Sequence, residues 1–409
     1  MSPNPSSDAM HAGLATSRVI LKPRRAQPFF GRHPWVFEGA VQAVEGDAAP
    51  GEIVDVLTDQ GRFIARGIIN PHSKLNVRLY SWDESQPLDE AFWRATLERA
   101  LARRAGLARN HPESAVRLVY SEADGMSGLI ADRYAAHLVV QINSLAMARC
   151  WPMLLPLFVE LVQPACISLR SDRGIVKEER MEPQMGVAWG TPPDGPVFVL
   201  EHGLRFGVDV VGGQKTGLYL DQAENHQAAA AYLAQRRVLD VFCYTGGFSL
   251  AAAHTGQAAE VLGVDSSERA IITARANAER NGTRQVRFEE ADGFQFLDEC
   301  RARGERFGAV ILDPPKFARN RRQIDEALRA YHRINRLAVD LLEPGGVLVT
   351  CSCSGGITRE DLQLMLCGVS QKTGRAIQIL EQRGAGPDHP IRVTCPESEY
   401  LKCFICRVD

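Results

Sequence analysis

Two cysteines stand one residue apart in VTCSCSGGI, residues 349–357, at the end of an apolar run and just before two glycines. In that setting Cys351 and Cys353 allow four chemistries: a metal clip, a redox couple, a nucleophile, or two small residues closing a strand. A metal site needs about four ligands at suitable spacing. This pair, like Cys403 and Cys406 in CFIC, offers only two, so no metal is expected. Residues two apart on a strand share a face, which points both thiols the same way.

Four acids end apolar runs in the same half of the chain: Asp240 in RVLDVF, Asp265 in EVLGVD, Asp292 in QVRFEEAD and Asp313 in AVILDPP. After the first comes CYTGGFSLAAA, where Gly246 and Gly247 make a tight turn opening an Ala-rich helix. Such a turn lets backbone amides at a helix N-terminus approach a ligand. Cys243 and Thr245 interrupt the GxGxxG dinucleotide fingerprint, which favours a ligand without a pyrophosphate over NAD. Asp265 stands where an acid hydrogen-bonds ribose hydroxyls, and Asp292 where it can meet an adenine amino group, with Phe294 packing nearby. One such acid could equally be a helix cap. Several at successive strand ends argue for a nucleoside-bearing ligand.

These residues need a scaffold that brings strand ends together. From residue 196 onward, apolar runs with few polar residues alternate with amphipathic stretches such as SERAIITARANAERNG and EALRAYHRINRLAVDLL. That alternation predicts a doubly wound α/β domain over residues 196–409, its mostly parallel sheet covered on both faces. In the strand order of such folds the fourth and fifth strands are neighbours on one side of the first, so Asp313 and the cysteine pair are expected to converge on one rim at the topological switch point. Before it, residues 18–85 carry short β-like runs broken by APG, DQG and NPHS, the pattern of a small all-β barrel. Residues 86–195 mix a helix, LDEAFWRATLERALARRAGL, with strand-like runs and read as an α+β middle domain. Residues 1–17 read as a frayed tail.

The chain of 409 residues has a net charge of −2, which argues against a histone-like polycation and leaves any nucleic-acid contact to a local basic patch. Lys22, Arg24, Arg25, Arg32 and Trp35 around GRHPWVF form such a candidate, able to neutralise and stack on RNA; a solvated basic turn over a buried tryptophan is the plain alternative. Ten scattered cysteines behind a polar N-terminus, MSPNPSSDAMHAGLATS, read as reduced thiols in a cytoplasmic protein. The most apolar run, PMLLPLFVELV, is short and interrupted by Pro152 and Pro156, so no membrane span is expected.

Across residues 200–409 the motifs GLYLDQAENH, LDVFCYTGGFS, VDSS, ADGF, LDPPKF and TCSCS occur in the order of class I S-adenosylmethionine-dependent methyltransferases. Together with DHPIRVTCPESEYLK, they resemble the RlmI family of bacterial large-subunit ribosomal RNA cytosine-5 methyltransferases, and GRHPWVFEGA and NVRLYSW resemble that family's N-terminal PUA domain. The resemblance covers nearly all of the chain past the tail. It implies S-adenosylmethionine as cofactor, held by Asp221, Gln222, Asp240, Phe242, Cys243, Gly246, Gly247, Asp265, Ser266, Asp292, Gly293 and Asp313, and large-subunit ribosomal RNA as partner. A homodimer is left open.

The chemistry that resemblance implies explains the thiols. Carbon 5 of cytosine is too weak a nucleophile to take a methyl group directly, but a thiolate adding to carbon 6 turns the ring into an enamine. Asp313, at ring nitrogen 3, would stabilise the developing charge. In related RNA cytosine methyltransferases, counting from the Gly-Gly that opens the fifth strand arrives at Cys353, which ranks first as nucleophile with Cys351 second. Two-cysteine relatives carry a further cysteine in the fourth-strand motif to assist product release. Pro315 and Lys316 stand there instead, and Lys316 is a candidate for the base. Two rivals stay in view: an amino-group methyltransferase on RNA, which needs no cysteine, and a non-catalytic RNA-binding assembly factor.

Overall fold

The structure, a computed structural model, describes residues 13–15, 17–107, 110–211, 217–318 and 321–409. Most of the expected tail, and Arg319 beside the DPPKF loop, lie outside the described residues. The chain forms two compact units. The first joins residues 1–197 to two later pieces, 208–217 and 388–398; the second comprises 198–207, 218–387 and 399–409.

The first unit holds two sheets. Six strands, Ser17–Leu21, Trp35–Phe37, Val41–Glu45, Ile53–Leu57, Phe63–Ile69 and Leu75–Ser81, make a mixed sheet in which Ser17–Leu21 pairs parallel with Ile53–Leu57 and antiparallel with Val41–Glu45. Its β-branched and aliphatic residues, among them Val19, Val36, Val54, Val56, Val77 and Leu79, are buried together. The second sheet has five strands, Ala115–Tyr120, Leu129–Tyr134, His137–Ile142, Cys166–Arg170 and Gly186–Gly190, backed by the helices Glu90–Ala105 and Leu145–Val162. Leu145–Val162 runs 18 residues with both prolines inside it, long and apolar enough by composition alone to cross a membrane. Its Met147, Trp151, Leu154 and Phe158 fill the core of this sheet.

Arg104, at the end of Glu90–Ala105, ties this unit together. It is 1% exposed, and its guanidinium donates to Asp124 Oδ1 at 2.7 Å, to the Arg117 carbonyl at 3.0 Å and to the Asp388 carbonyl at 2.8 Å. The inserted segment 388–398 makes further bonds of this kind: the Asp388 carboxylate accepts from the Arg117 amide (3.0 Å), Tyr120 Oη donates to the Ser398 carbonyl (2.8 Å) and Arg392 donates to the Glu122 carbonyl (2.9 Å). Without Arg104 the Asp124 carboxylate keeps Arg103 at 2.9 Å, but the buried Arg117 and Asp388 carbonyls lose their donor, so Arg104→Met is expected to cost about 2–3 kcal/mol. A urea titration of the purified variant checks this.

The second unit is built on seven strands: Arg237–Val241, Glu260–Asp265, Val286–Glu290, Phe307–Leu312, Leu342–Ser352, Ile377–Arg383 and Lys402–Val408. Numbered along the chain, their spatial order is 3-2-1-4-5-7-6, with the first five parallel and the seventh antiparallel to both of its neighbours. Phe307–Leu312 is buried throughout, as a central strand covered on both faces must be. Helices between the strands supply the cover. Ile324–Leu341 turns Ala327, Tyr331, Ile334, Leu337, Ala338 and Leu341 inward at helical spacing. Ser267, Asp292 and Thr358 cap the helices that follow the second, third and fifth strands.

Candidate active site

The first strand ends in a strained loop. Phe242 (φ 69°), Tyr244 (φ 49°) and Gly246 (φ 92°) all adopt left-handed backbone before the helix Gly247–His254 begins. Such strain costs about 1–3 kcal/mol at a non-glycine residue and persists only where its surroundings impose it. Here the Phe242 and Cys243 amides donate to the Val264 carbonyl at 2.8 and 3.0 Å, and the Tyr244 amide donates to Asp265 Oδ2 at 3.0 Å. The second strand thus clamps the loop of the first.

Glycine is demanded here by the protein's own side chains. A Cβ on Gly247 would lie 2.4 Å from the His226 ring, and one on Gly293 would lie 2.8 Å from the Phe242 ring. His226 is held by Glu201 (Nδ1 to Oε1, 2.7 Å) and packs edge-on against Phe248, ring centroids 4.5 Å apart. Neither Glu201 nor His226 was singled out in the sequence. Their pairing spans 25 positions and two elements, so no local spacing announces it. Gly247→Ala must displace this imidazole, and an affinity for S-adenosylmethionine weakened on the order of tenfold is expected by calorimetry.

The expected acids fall into distinct environments. Asp240 is fully buried, accepts from Ser249 Oγ at 2.6 Å, and keeps Oδ1 without a partner among the described residues. Burial, chiefly, pushes its pKa up to about 6. Asp265 also accepts from the Ser267 amide at 2.9 Å, and Ser266 is exposed between them. Asp292 is a helix cap, its Oδ1 accepting from the Phe294 and Gln295 amides at 3.0 Å each; capping uses one oxygen of the two. Asp221, 8% exposed, accepts from Tyr400 Oη, and its carbonyl takes the Gly386 amide at 3.1 Å. Gln222 is buried, and its side chain works to lower the Asp313 pKa. Burial first, then the nearby Asp221 charge, raise Asp313 to about 7.

Carboxylates that raise one another's pKa create a demand for positive charge. Asp221 and Asp240 both push the Asp313 pKa up here, and Asp240 adds a buried acceptor without a hydrogen-bond partner among the described residues. A ligand with a sulfonium and an ammonium, such as S-adenosylmethionine, fits that donor set.

The two cysteines part company. The fifth strand ends at Ser352, so the alternation that put both thiols on one face does not reach Cys353. Cys351 is fully buried opposite Cys403 across the strands, and burial, with Cys403 next, drives its pKa well above the ordinary thiol value. Cys353 is half-buried, beyond the strand, and its thiol donates to the Pro314 carbonyl at 4.0 Å, one residue from Asp313. Around it, Tyr331 Oη lies 3.4 Å from Ser354 Oγ, and Phe317 packs against Tyr331 with centroids 4.8 Å apart. Lys316 is exposed.

In the first unit Lys22, Arg24, Arg25 and Arg32 are exposed, Lys22 donating to the Gly39 carbonyl at 3.0 Å. Trp35 is half-buried with its indole N–H committed to Glu122 at 3.0 Å. Phe37, at the end of the strand Trp35–Phe37, is 49% exposed, and Phe30, in the short helix Gln27–Phe30, is 40% exposed with Arg62 over its ring. His33, Cys395 and Glu397 cluster within 4.8 Å. His33 Nδ1 accepts the Trp35 amide, so its Nε2 proton goes to Glu397 at 3.2 Å; the trio is closed by hydrogen bonds.

Comparison with known proteins agrees with this geometry. Residues 19–82 match the PUA-like domain family, and residues 146–391 match the S-adenosylmethionine-dependent methyltransferase family. The chain is 38% identical over 393 residues to the ribosomal RNA large subunit methyltransferase I of Enterobacter sp. (strain 638), covering 96% of this chain and 99% of that one. It is 40% identical over 394 residues to the protein of that name from Salmonella arizonae, covering 96% and 97%. Among solved structures, a SAM-dependent methyltransferase from Streptococcus mutans superposes with a TM-score of 0.82 at 18% identity, and a methyltransferase complexed with SAH with a TM-score of 0.83 at 18%; each covers 95% of this chain and 99% of its own. Those two likenesses carry the fold. The family match over residues 146–391 and the sequence relatives place this chain in the S-adenosylmethionine-dependent methyltransferase family that includes the ribosomal RNA large subunit methyltransferase I proteins.

Proposed function

We propose that the protein methylates carbon 5 of a cytosine in large-subunit ribosomal RNA, with Cys353 as the attacking thiol. The observation that carries the reading is the meeting of two strand ends, which sets the half-exposed Cys353 sulfur against the Pro314 carbonyl beside Asp313. Asp221, Gln222, Asp240, Asp265 and Asp292 would hold S-adenosylmethionine, which supplies the electrophilic methyl group. Cys353 adds as the thiolate to carbon 6 of a base flipped from its stack. Asp313, its pKa raised to about 7, is neutral below that pH and donates a proton to ring nitrogen 3, so the electron pair displaced from the 5,6 double bond is available at carbon 5. After methyl transfer the nitrogen 3 proton returns to the Asp313 carboxylate, the carbon 5 proton passes to a solvent water as the 5,6 double bond re-forms, and the sulfur leaves with its bonding pair.

The exposed Lys22, Arg24, Arg25 and Arg32, with the exposed Phe30 and Phe37 of the same unit, supply the cations and aromatic faces that RNA binding uses. The test is incubation with 5-fluorocytidine-containing ribosomal RNA and cofactor. Fluorine at carbon 5 blocks the final elimination, so a covalent protein–RNA adduct should accumulate on denaturing gels. No adduct, with methyl transfer to unsubstituted RNA intact, would favour transfer to an amino group. Failure to bind S-adenosylmethionine at all would favour a non-catalytic RNA-binding role.

A further inference from the structure

Lys402 opens the seventh strand opposite Ser352, one position from the Cys351–Cys403 pair. It is 2% exposed, and its ammonium donates to the carbonyls of Ser354 and Tyr400, both at 2.8 Å. Ser354 directly follows Cys353. A buried ammonium needs a counter-charge, because an unpaired one loses its hydration with nothing in return. The neighbouring carboxylates are engaged elsewhere: Glu399 by Arg359 at 2.8 Å, Asp361 by the Thr358 amide and hydroxyl at 2.8 Å each. Burial lowers the Lys402 pKa to about 8, and the Cys353 thiol is the first group drawing it back up, ahead of Glu399 and Asp361, with Arg359 opposing. Tyr331 and Asp313, which interact with each other, are further titratable groups at this corner, and Tyr331 also interacts with Cys353.

We propose that Lys402 is a positioning residue for Cys353: its buried ammonium is the counter-ion of the Cys353 thiolate, and its two carbonyl contacts fix the turn that carries the sulfur. The proposal rests on Cys353 being the nucleophile. In ionising, the thiol releases its proton to solvent, and the ammonium holds the resulting charge. Without Lys402 the same sulfur would sit beside a neutral backbone and stay protonated at neutral pH.

The test needs neither RNA nor cofactor. The full chain is alkylated with iodoacetamide across a pH series, and Cys353 modification is followed by peptide mass spectrometry. The parent should show a midpoint below the ordinary thiol value of about 8.5. Lys402→Gln keeps a donor but loses the charge; it should move the midpoint up about one pH unit and slow alkylation at pH 7 on the order of tenfold. Lys402→Arg should keep the parental midpoint. A parental midpoint at or above the ordinary value overturns the proposal, as does a Gln variant that melts like the parent with an unshifted profile, or an Arg variant shifted as far as Gln. Should the Gln variant not fold, the parental midpoint and the Arg variant decide. The fluorocytidine adduct reports separately on the cytosine reading.

Discussion

Cys353→Ala should lower methyl transfer to large-subunit ribosomal RNA by on the order of 10⁴- to 10⁶-fold, the scale on which removing a covalent nucleophile acts. Single-turnover transfer from radiolabelled S-adenosylmethionine measures it, and the fluorocytidine adduct should vanish in the same variant. Its fold should be little disturbed, since the half-buried sulfur lies beyond the strand. Cys351→Ala separates the two thiols. Its sulfur is fully buried against Cys403, so this variant should lose about 1–2 kcal/mol of stability through the small cavity left behind, yet keep its transfer rate within a few-fold. An adduct lost in Cys351→Ala and kept in Cys353→Ala would move the nucleophile to the buried position. Full transfer by both variants would remove the thiol from the mechanism.

Asp313→Asn should reduce transfer by about 10²- to 10⁴-fold, as loss of a general acid does, and it should do so with a distinct pH signature. Burial and Asp221 raise the Asp313 pKa from 3.8 to about 7. The neutral acid is therefore present below about pH 7 and lost as pH rises through it, while thiolate formation runs the other way. A bell-shaped rate profile follows for the parent, and the asparagine variant should lose its alkaline limb. Stability carries the opposite sign. Between the unfolded and folded pKa the unfolded chain has released a proton that the folded protein retains, so folding weakens as pH rises across that interval. Asp313→Asn escapes that loss. Its melting temperature relative to the parent should be higher at pH 8 than at pH 5, read by calorimetry.

The scaffold of this site was legible because its signals are local. Apolar runs alternating with amphipathic stretches announced the parallel sheet, and Asp240, Asp265, Asp292 and Asp313 stand at or just beyond the ends of its first four strands. Asp292 caps a helix, the plain alternative for an acid at a strand end. What spacing could not reveal depends on partners far along the chain. Cys351 and Cys353 look equivalent in VTCSCSGGI, yet one faces Cys403 and the other the Pro314 carbonyl. Gly247 reads as a ligand-facing turn, and only the fold shows that it yields to His226. Lys402 sits in an unremarkable strand start, and Glu201 lies in a hairpin outside the main sheet.

The segment 388–398 was read as part of one continuous C-terminal domain. It belongs instead to the first unit, where the Asp388 carbonyl and carboxylate meet Arg104 and the Arg117 amide, and the Ser398 carbonyl meets Tyr120. Domains generally fold in the order in which they are synthesised, but this arrangement reverses that order for one of its parts. While the chain is being made, Arg104 waits without its Asp388 partner until the first residue of the insertion emerges, after most of the methyltransferase core. The N-terminal unit is begun first yet closed only near the end, so a nascent chain stalled before residue 388 lacks both that unit's last segment and the seventh strand, which joins the fifth and sixth strands of the methyltransferase sheet.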